Sequence, residues 1–251
     1  MKTETIQYLL DINRQFYQKF GDAFAATRRR IQPGIYELLE KLPKHGHWLD
    51  LGCGSGALSQ VWIQQVRSGS YTGLDFSEPL LKEARRSLAE QDLPHDLEVN
   101  FYKADLLDAG WVKAATREQY DGVFCFAAMH HLPDHQNHLK LVKTVRSLLP
   151  EGGTFIHSNW QFQNSPKLKA RVQPWSAVGI KEADVETGDT LLDWRFALPG
   201  QEEEIGYRYV HLFSEDELNQ LASESSFEVA ETFYSDGTGG RLGLYQIWRA
   251  K

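Results

Sequence analysis

From His47 onward the chain alternates between short apolar runs and longer segments in which apolar residues return every third or fourth position. Short apolar runs bounded by turn formers predict buried strands, and the three-to-four spacing predicts helices with one packed face. Strands are predicted from His47 to Gly52, Tyr71 to Phe76, Leu97 to Ala104, Tyr120 to Ala128 and Gly153 to Asn159. Helices are predicted from Ala57 to Val66, Glu78 to Glu90, Gly110 to Arg117 and Gln136 to Leu148, with Pro150 and the glycines 152 and 153 stopping the last of them. Strands joined through helices pair in parallel, so the expected fold class is α/β.

Ahead of this core, the segment from Thr5 to Phe20 places Ile6, Leu9, Leu10, Ile12, Phe16, Tyr17 and Phe20 at amphipathic spacing, and a second helix is predicted from Pro33 to Lys41. Residues 1–45 therefore read as a helical cap and 46–160 as a binding core. Residues 161–210 form a long polar and aromatic insertion, and Trp175, Leu191, Leu192, Trp194 and Phe196 give it too much apolar surface for disorder, so it reads as a lid. Regular patterning returns over 211–251. Ser214, with Glu217 three residues on, opens a helix running through Leu221 to Ser225. The runs Glu228 to Tyr234 and Leu242 to Arg249 flank SDGTGGR, a turn short enough to make that strand pair antiparallel.

Composition narrows the function classes. With 251 residues, 41% hydrophobic and 24% charged, the chain can bury a sizeable core without disulfides and is neither fibrous nor disordered. Its formal charge of −7 argues against a general polyanion binder and against a DNA partner. Two local basic runs remain candidates for RNA contact: Arg28 to Arg30, and Lys167, Lys169 and Arg171 in an acid-free stretch. Taken singly, each reads as a solvated charged face. No run approaches the ~18 apolar residues of a membrane span, and the opening MKTETIQYLLDINRQFYQ lacks a secretory pattern, so a cytoplasmic location without a membrane partner is expected. Cys53 and Cys125 lie in apolar, strand-like runs, which predicts reduced and packed thiols.

The strongest chemical signal is LDLGCGSG, Leu49 to Gly56, between a strand and a helix. Glycines there let the backbone turn sharply and approach a ligand closely. Asp75 ends the next strand, roughly 20 residues on, where a carboxylate can accept the hydroxyls of an adenosine ribose. The GxGxG spacing is tighter than the pyrophosphate-binding GxGxxG, and Asp50 sits just inside it. A carboxylate at that point repels a pyrophosphate but suits the cationic amino group of a methionine moiety, which favours S-adenosylmethionine over a nicotinamide dinucleotide. Asp105, ending the third strand, is placed to accept from an adenine amino group, and Phe76, Phe126 and Ala127 end neighbouring strands at the same side of the sheet.

On these residues the chain resembles the class I S-adenosylmethionine-dependent methyltransferases over Gly46 to Trp160 and the terminal strand pair. The resemblance implies a seven-stranded Rossmann-like sheet, mostly parallel with one antiparallel strand and helices on both faces. It also implies cofactor roles for Asp50, Gly52, Gly54, Gly56, Asp75 and Asp105.

Methyl transfer from a sulfonium is an in-line displacement that demands alignment and exclusion of water more than catalytic groups. Met129, His130 and His131 follow the fourth strand, where a histidine can orient or deprotonate an acceptor. The plain structural reading of the pair is one ring buried on a backbone hydrogen bond and the other exposed, and it is preferred for His131; for His130 that reading and a functional one both stay open. His135 and His138 sit at helical spacing without a third ligand and read as a solvated helix face, so no metal is expected.

Phe24 to Arg28, the Met129 to His131 run, and RYVHLF from Arg208 to Phe213 with Glu217 and Leu218 resemble the tRNA wobble-uridine carboxymethyl methyltransferases. That resemblance implies methyl esterification of a 5-carboxymethyluridine carboxylate in tRNA, with Arg28, His130, Tyr209 and His211 around the cofactor and acceptor. The chain departs from that family at Gln32, where tryptophan is usual, and in its SDGTGGRLGLYQIW ending. A carboxylate with a pKa of about 4 is already ionised at neutral pH and needs no strong base, only a cation such as Arg28 or Arg195 to hold it. Two alternatives stand beside this reading: a methyltransferase acting on a small metabolite, and a catalytically silent module that binds a partner. Whether a small activating partner protein is needed stays open.

Overall fold

The computed structural model describes residues 1–27, 30–108, 110–196 and 203–251, with the backbone alone for 22–27 and 196. Helices α1 (Thr3–Thr27) and α2 (Pro33–Lys41) precede an alternating core: β1 (His45–Leu51), α3 (Ala57–Gln64), β2 (Ser68–Asp75), α4 (Glu78–Ala89), β3 (Leu97–Lys103), β4 (Gly122–Phe126), α5 (His135–Ser147) and β5 (Thr154–Trp160). A short helix α6 (Pro166–Lys169) and strands β6 (Val172–Gln173), β7 (Asp189–Phe196) and β8 (Glu204–His211) follow, and α7 (Glu215–Glu224), β9 (Phe227–Ser235) and β10 (Gly243–Ala250) end the chain.

The main sheet has seven strands in the order β3-β2-β1-β4-β5-β10-β9. Neighbours among β1 to β5 pair in parallel, whereas β10 runs antiparallel to both β5 and β9. The crossovers through α3, α4 and α5 return the chain for parallel pairing; the tight connection from β9 to β10 forces the reversal. One apolar layer joins α5 and α7 to the sheet through Val142, Leu218, Phe155 and Trp248. The other joins α2, α3 and α4 through Leu39, Trp62 and Leu81 to Trp48, Tyr71 and Phe124. Covering on both faces explains why β1, β4 and β5 read as continuous apolar runs. Strand order reverses between β1 and β4, which opens a crevice at the carboxyl ends of the strands.

Residues 161–210 depart furthest from the sequence pattern. They contribute a second, antiparallel sheet, β6-β7-β8, and β8 continues through His211, past the expected boundary at 210. α1 lies along the open edge of β8. There the Asn13 side chain accepts from the Tyr209 amide (2.9 Å) and donates to its carbonyl (3.1 Å), satisfying backbone groups that an edge strand leaves unpaired. α1 is also longer than the apolar pattern from Thr5 to Phe20. The segment from Gly110 to Arg117 forms only a 3-10 turn, Trp111–Ala114, because Trp111 and Val112 alone are too few apolar anchors to sustain a nucleated helix.

Candidate functional site

A cavity of about 290 Å3 opens at the carboxyl ends of the central strands, beneath α1. Its floor is the turn from β1 to α3. Gly52 adopts φ +76°, and a Cβ there would stand 2.5 Å from the Ala128 Cβ, so only glycine fits. The Gly52 and Cys53 amides both donate to the Leu74 carbonyl (2.8 and 3.0 Å), and the Gly54 amide donates to the Asp75 carboxylate (2.9 Å). Gly54, at φ +55°, has open space where a side chain would project, leaving its backbone accessible to a ligand. Gly56 caps α3 behind the wall and does not line the cavity.

Two buried carboxylates face this space. Burial raises the Asp50 pKa to about 7 against the opposing hydrogen bond from the Tyr71 hydroxyl, and Asp75 adds repulsion. Burial likewise raises Asp75 to about 6 although the Ser77 and Gly54 amides stabilise its charge. Among the described residues no cationic side chain offsets either group, so this wall is poised for a cation supplied by a ligand. Asp105 has a partner already: its carboxylate accepts from the Leu107 amide (3.0 Å) and from the Arg14 guanidinium on α1 (2.8 Å). Phe76 lines the cavity edge-on to Tyr17, and Phe126 stacks on Phe124 with centroids 5.2 Å apart. Ala127 is held at φ +51° by its amide bonds to Ser158, an uncommon conformation for a residue with a Cβ.

The histidines after β4 divide as residue chemistry requires. His130 is buried, lines the cavity and accepts from the Trp160 amide through Nδ1 (3.4 Å), its ring parallel to that of Trp160. His131 bonds the Tyr209 carbonyl through Nδ1 (3.1 Å) and the Tyr17 hydroxyl through Nε2 (3.0 Å). His138 is a correction to the sequence reading. Far from forming a solvated face, it is fully buried against Phe213, bonded to the Leu132 carbonyl, and burial lowers its pKa to about 4. Among the described residues no group of His, Cys, Asp and Glu could hold a metal.

Three residues expected at the acceptor lie elsewhere. The Tyr209 hydroxyl donates to Asp189 (2.6 Å) inside a small core with Leu9, Trp175 and Leu191. His211 lies between Asp189 (2.8 Å) and Glu217 (3.0 Å); burial lowers its pKa, but these carboxylates outweigh burial and bring it to about 9. Arg195 is exposed and paired with Asp193 and Glu203. Arg28 lies outside the described residues.

Sequence reasoning carried Arg208 only as part of the RYVHLF motif and of the lid, with no charge-binding role of its own; it is 3% exposed and lines the cavity. Its guanidinium lies over the rings of Phe16 (4.9 Å) and Trp160 (5.1 Å), and burial lowers its pKa while the Tyr17 hydroxyl opposes this. The signal was available: side chains alternate along a strand, so once Tyr209 and His211 turn one way, Arg208 must turn the other.

The comparisons agree with this architecture. Residues 23–232 match the family described as "Methyltransferase domain". The tRNA (carboxymethyluridine(34)-5-O)-methyltransferase of Schizosaccharomyces pombe is 24% identical over 241 residues, covering 91% of this chain and 94% of that protein. The trans-aconitate 2-methyltransferase of Sinorhizobium medicae is 31% identical over 138 residues, covering 55% of this chain and 46% of that protein. The crystal structure of an S-adenosylmethionine-dependent methyltransferase from Clostridium acetobutylicum shares the fold with TM-score 0.63 at 15% identity, over 93% of this chain and 98% of that one. The chain thus belongs to the methyltransferase domain family and is an S-adenosylmethionine-dependent methyltransferase.

Proposed function

We propose that the acceptor is a carboxylate, methylated on oxygen, and that it is the 5-carboxymethyluridine of a tRNA. The observation that carries this reading is Arg208, a buried cation in the same cavity as the carboxylates Asp50 and Asp75. Asp50 suits the cationic amino group of the cofactor and Asp75 its ribose hydroxyls; the guanidinium suits an anionic acceptor. In this reading the turn from Gly52 to Gly54, with Asp50, Asp75, Phe76, Asp105, Phe126 and Ala127, holds the cofactor, and Arg14 shares Asp105 with its adenine amino group. Bound S-adenosylmethionine supplies an electrophilic methyl group, which bonds to the acceptor oxygen while the S–C electron pair stays on sulfur.

Arg208 fixes the ionised carboxylate, so no general base is needed. His130, pinned by the Trp160 amide, packs beside the acceptor. Phe16, Phe76 and Trp160 exclude water from a step in which opposite charges neutralise each other, a step favoured by a dry site. The tRNA acceptor rests on the nearly full-length resemblance to the S. pombe protein. A second reading, a small carboxylic acid, is favoured by the formal charge of −7.

The test incubates purified protein with labelled S-adenosylmethionine and either carboxymethyluridine-containing tRNA or trans-aconitate. A label released by mild alkali is expected, since methyl esters hydrolyse where N-methyl and ether groups persist. Arg208→Ala is expected to lower kcat/KM about 100-fold, with cofactor affinity retained, because it removes a buried charge partner. An alkali-stable product overturns the carboxylate reading.

A further inference from the structure

Resting on the placement of the cofactor at the glycine turn, we infer that Asp236 is a positioning residue, a clasp that holds the start of α2 against the cofactor side of the cavity. The SDGTGGR turn between β9 and β10 has no part in the cofactor or acceptor reading, yet Asp236 within it is buried and lines the cavity. Its Oδ1 accepts from the Gly34 amide (3.0 Å) and its Oδ2 from the Tyr245 hydroxyl (2.5 Å). α2 needs such a partner. Gln32 precedes it without a side-chain cap and Pro33 has no N–H, so the Gly34 amide is the first helical donor and has no acceptor within the helix. A carboxylate there also meets the positive end of the helix dipole. Asp236 stands at φ +71°, a conformation that Asp, Asn and Gly adopt more readily than other residues, and from there it reaches α2 across 202 positions of chain.

The approach is close because residue 34 is glycine: a Cβ there would stand 2.8 Å from the Ser235 Cβ and from the Tyr245 ring. What the clasp holds is a wall. Arg30, Ile31, Gln32 and Ile35, just before and inside α2, line the cavity, as do Leu242 and Tyr245 across from them. Ile35 and Tyr245 share one apolar cluster with Cys53 of the glycine turn and Leu58 of α3, and Ile31 and Phe126 pack against it. α2 therefore begins on the same face of the sheet as the glycine turn, and the wall it forms bounds the cofactor. A wall that is ordered beforehand costs nothing further when the ligand arrives, whereas one that must be ordered at binding weakens affinity.

The test measures binding of S-adenosylhomocysteine, the demethylated cofactor, to the full chain by calorimetry, well below the Tm of each variant. Asp236→Gly accommodates the backbone conformation and removes the carboxylate; Asp236→Asn keeps an oxygen for the Gly34 amide. Kd is expected to rise about tenfold in Asp236→Gly and to stay within about threefold of wild type in Asp236→Asn. Exchange of the Gly34 amide proton, followed by NMR, should quicken in Asp236→Gly and stay slow in Asp236→Asn. Ser214→Ala strips the cap from α7, where the Ser214 Oγ accepts from the Glu217 amide (3.2 Å), and should lower Tm while leaving Kd unchanged. An unchanged Kd in Asp236→Gly overturns the proposal, as does equal weakening in both Asp236 variants or in Ser214→Ala. Should Asp236→Gly not fold, Tyr245→Phe removes the second hydrogen bond alone; a Kd about threefold higher is expected, and an unchanged Kd overturns the clasp. In wild type the ligand should shift the Gly52 to Gly54 amide signals. If these stay in place while binding is measured, the placement of the cofactor fails, and the inference falls with it.

Discussion

Asp50 carries a carboxyl group that burial holds protonated up to about pH 7, and that makes it a reporter of ligand charge. A cation placed beside it must lower its pKa, so cofactor binding near pH 7 should release about half a proton. Calorimetric titrations in Tris and in phosphate should therefore give enthalpies that differ in proportion to buffer ionisation, and Asp50→Asn should remove most of that difference. The same shift sets the sign of a stability effect. A carboxyl whose folded pKa lies above its unfolded value contributes stability that is present below about pH 4 and lost as pH rises through about 7. In ligand-free protein, Asp50→Asn should accordingly gain more in Tm over wild type at pH 8 than at pH 5. Asp50, Gly52 and Asp75 were legible in the sequence because a glycine turn following a strand places its neighbours through local geometry alone. Arg208 was not, because alternation along its strand says only that it turns away from Tyr209 and His211, and it is the packing of β8 that aims that face into the cavity.

The second sheet meets the core through His211, which joins Asp189 on β7 to Glu217 on α7. Its folded pKa of about 9 exceeds the usual value, so the pair contributes stability that is fully present below about pH 6.5 and is lost as pH rises through 9. The gain is on the order of 3 kcal/mol. His211→Gln should lower Tm by several degrees at pH 6.5 and by progressively less toward pH 10, in melts followed by circular dichroism. An effect independent of pH would mean that the ring serves packing alone. The resemblance placed this histidine at the acceptor, whereas the fold uses it to fasten β7 and β8 to α7. α1 shows the converse. Its amphipathic pattern was plain, but not that Asn13 would pair with a strand edge or that Arg14 would reach Asp105, since both contacts cross more than 90 positions of chain.

For the whole molecule, net charge sets an expectation that the acceptor test can use. An acidic protein binds tRNA only through local basic surface, and Lys167 and Lys169 are exposed on α6, shortly after the cavity residue Trp160. With the tRNA acceptor, KM should rise steeply with salt, and Lys167→Glu with Lys169→Glu should both raise KM and flatten that dependence. With a small carboxylic acid the double variant should leave KM nearly unchanged. By itself the sequence determined the parallel core, the antiparallel final pair and the glycine turn with its acids, because each is written in spacings of a few residues that backbone geometry converts directly into structure. Only the tertiary structure decided that Arg208 joins Arg14 and Arg30 in the cavity lining, which histidine is buried away from it, and how α1 and β8 close over it. Those outcomes depend on contacts between distant segments, where burial and hydrogen-bond polarity, rather than local periodicity, select the partner.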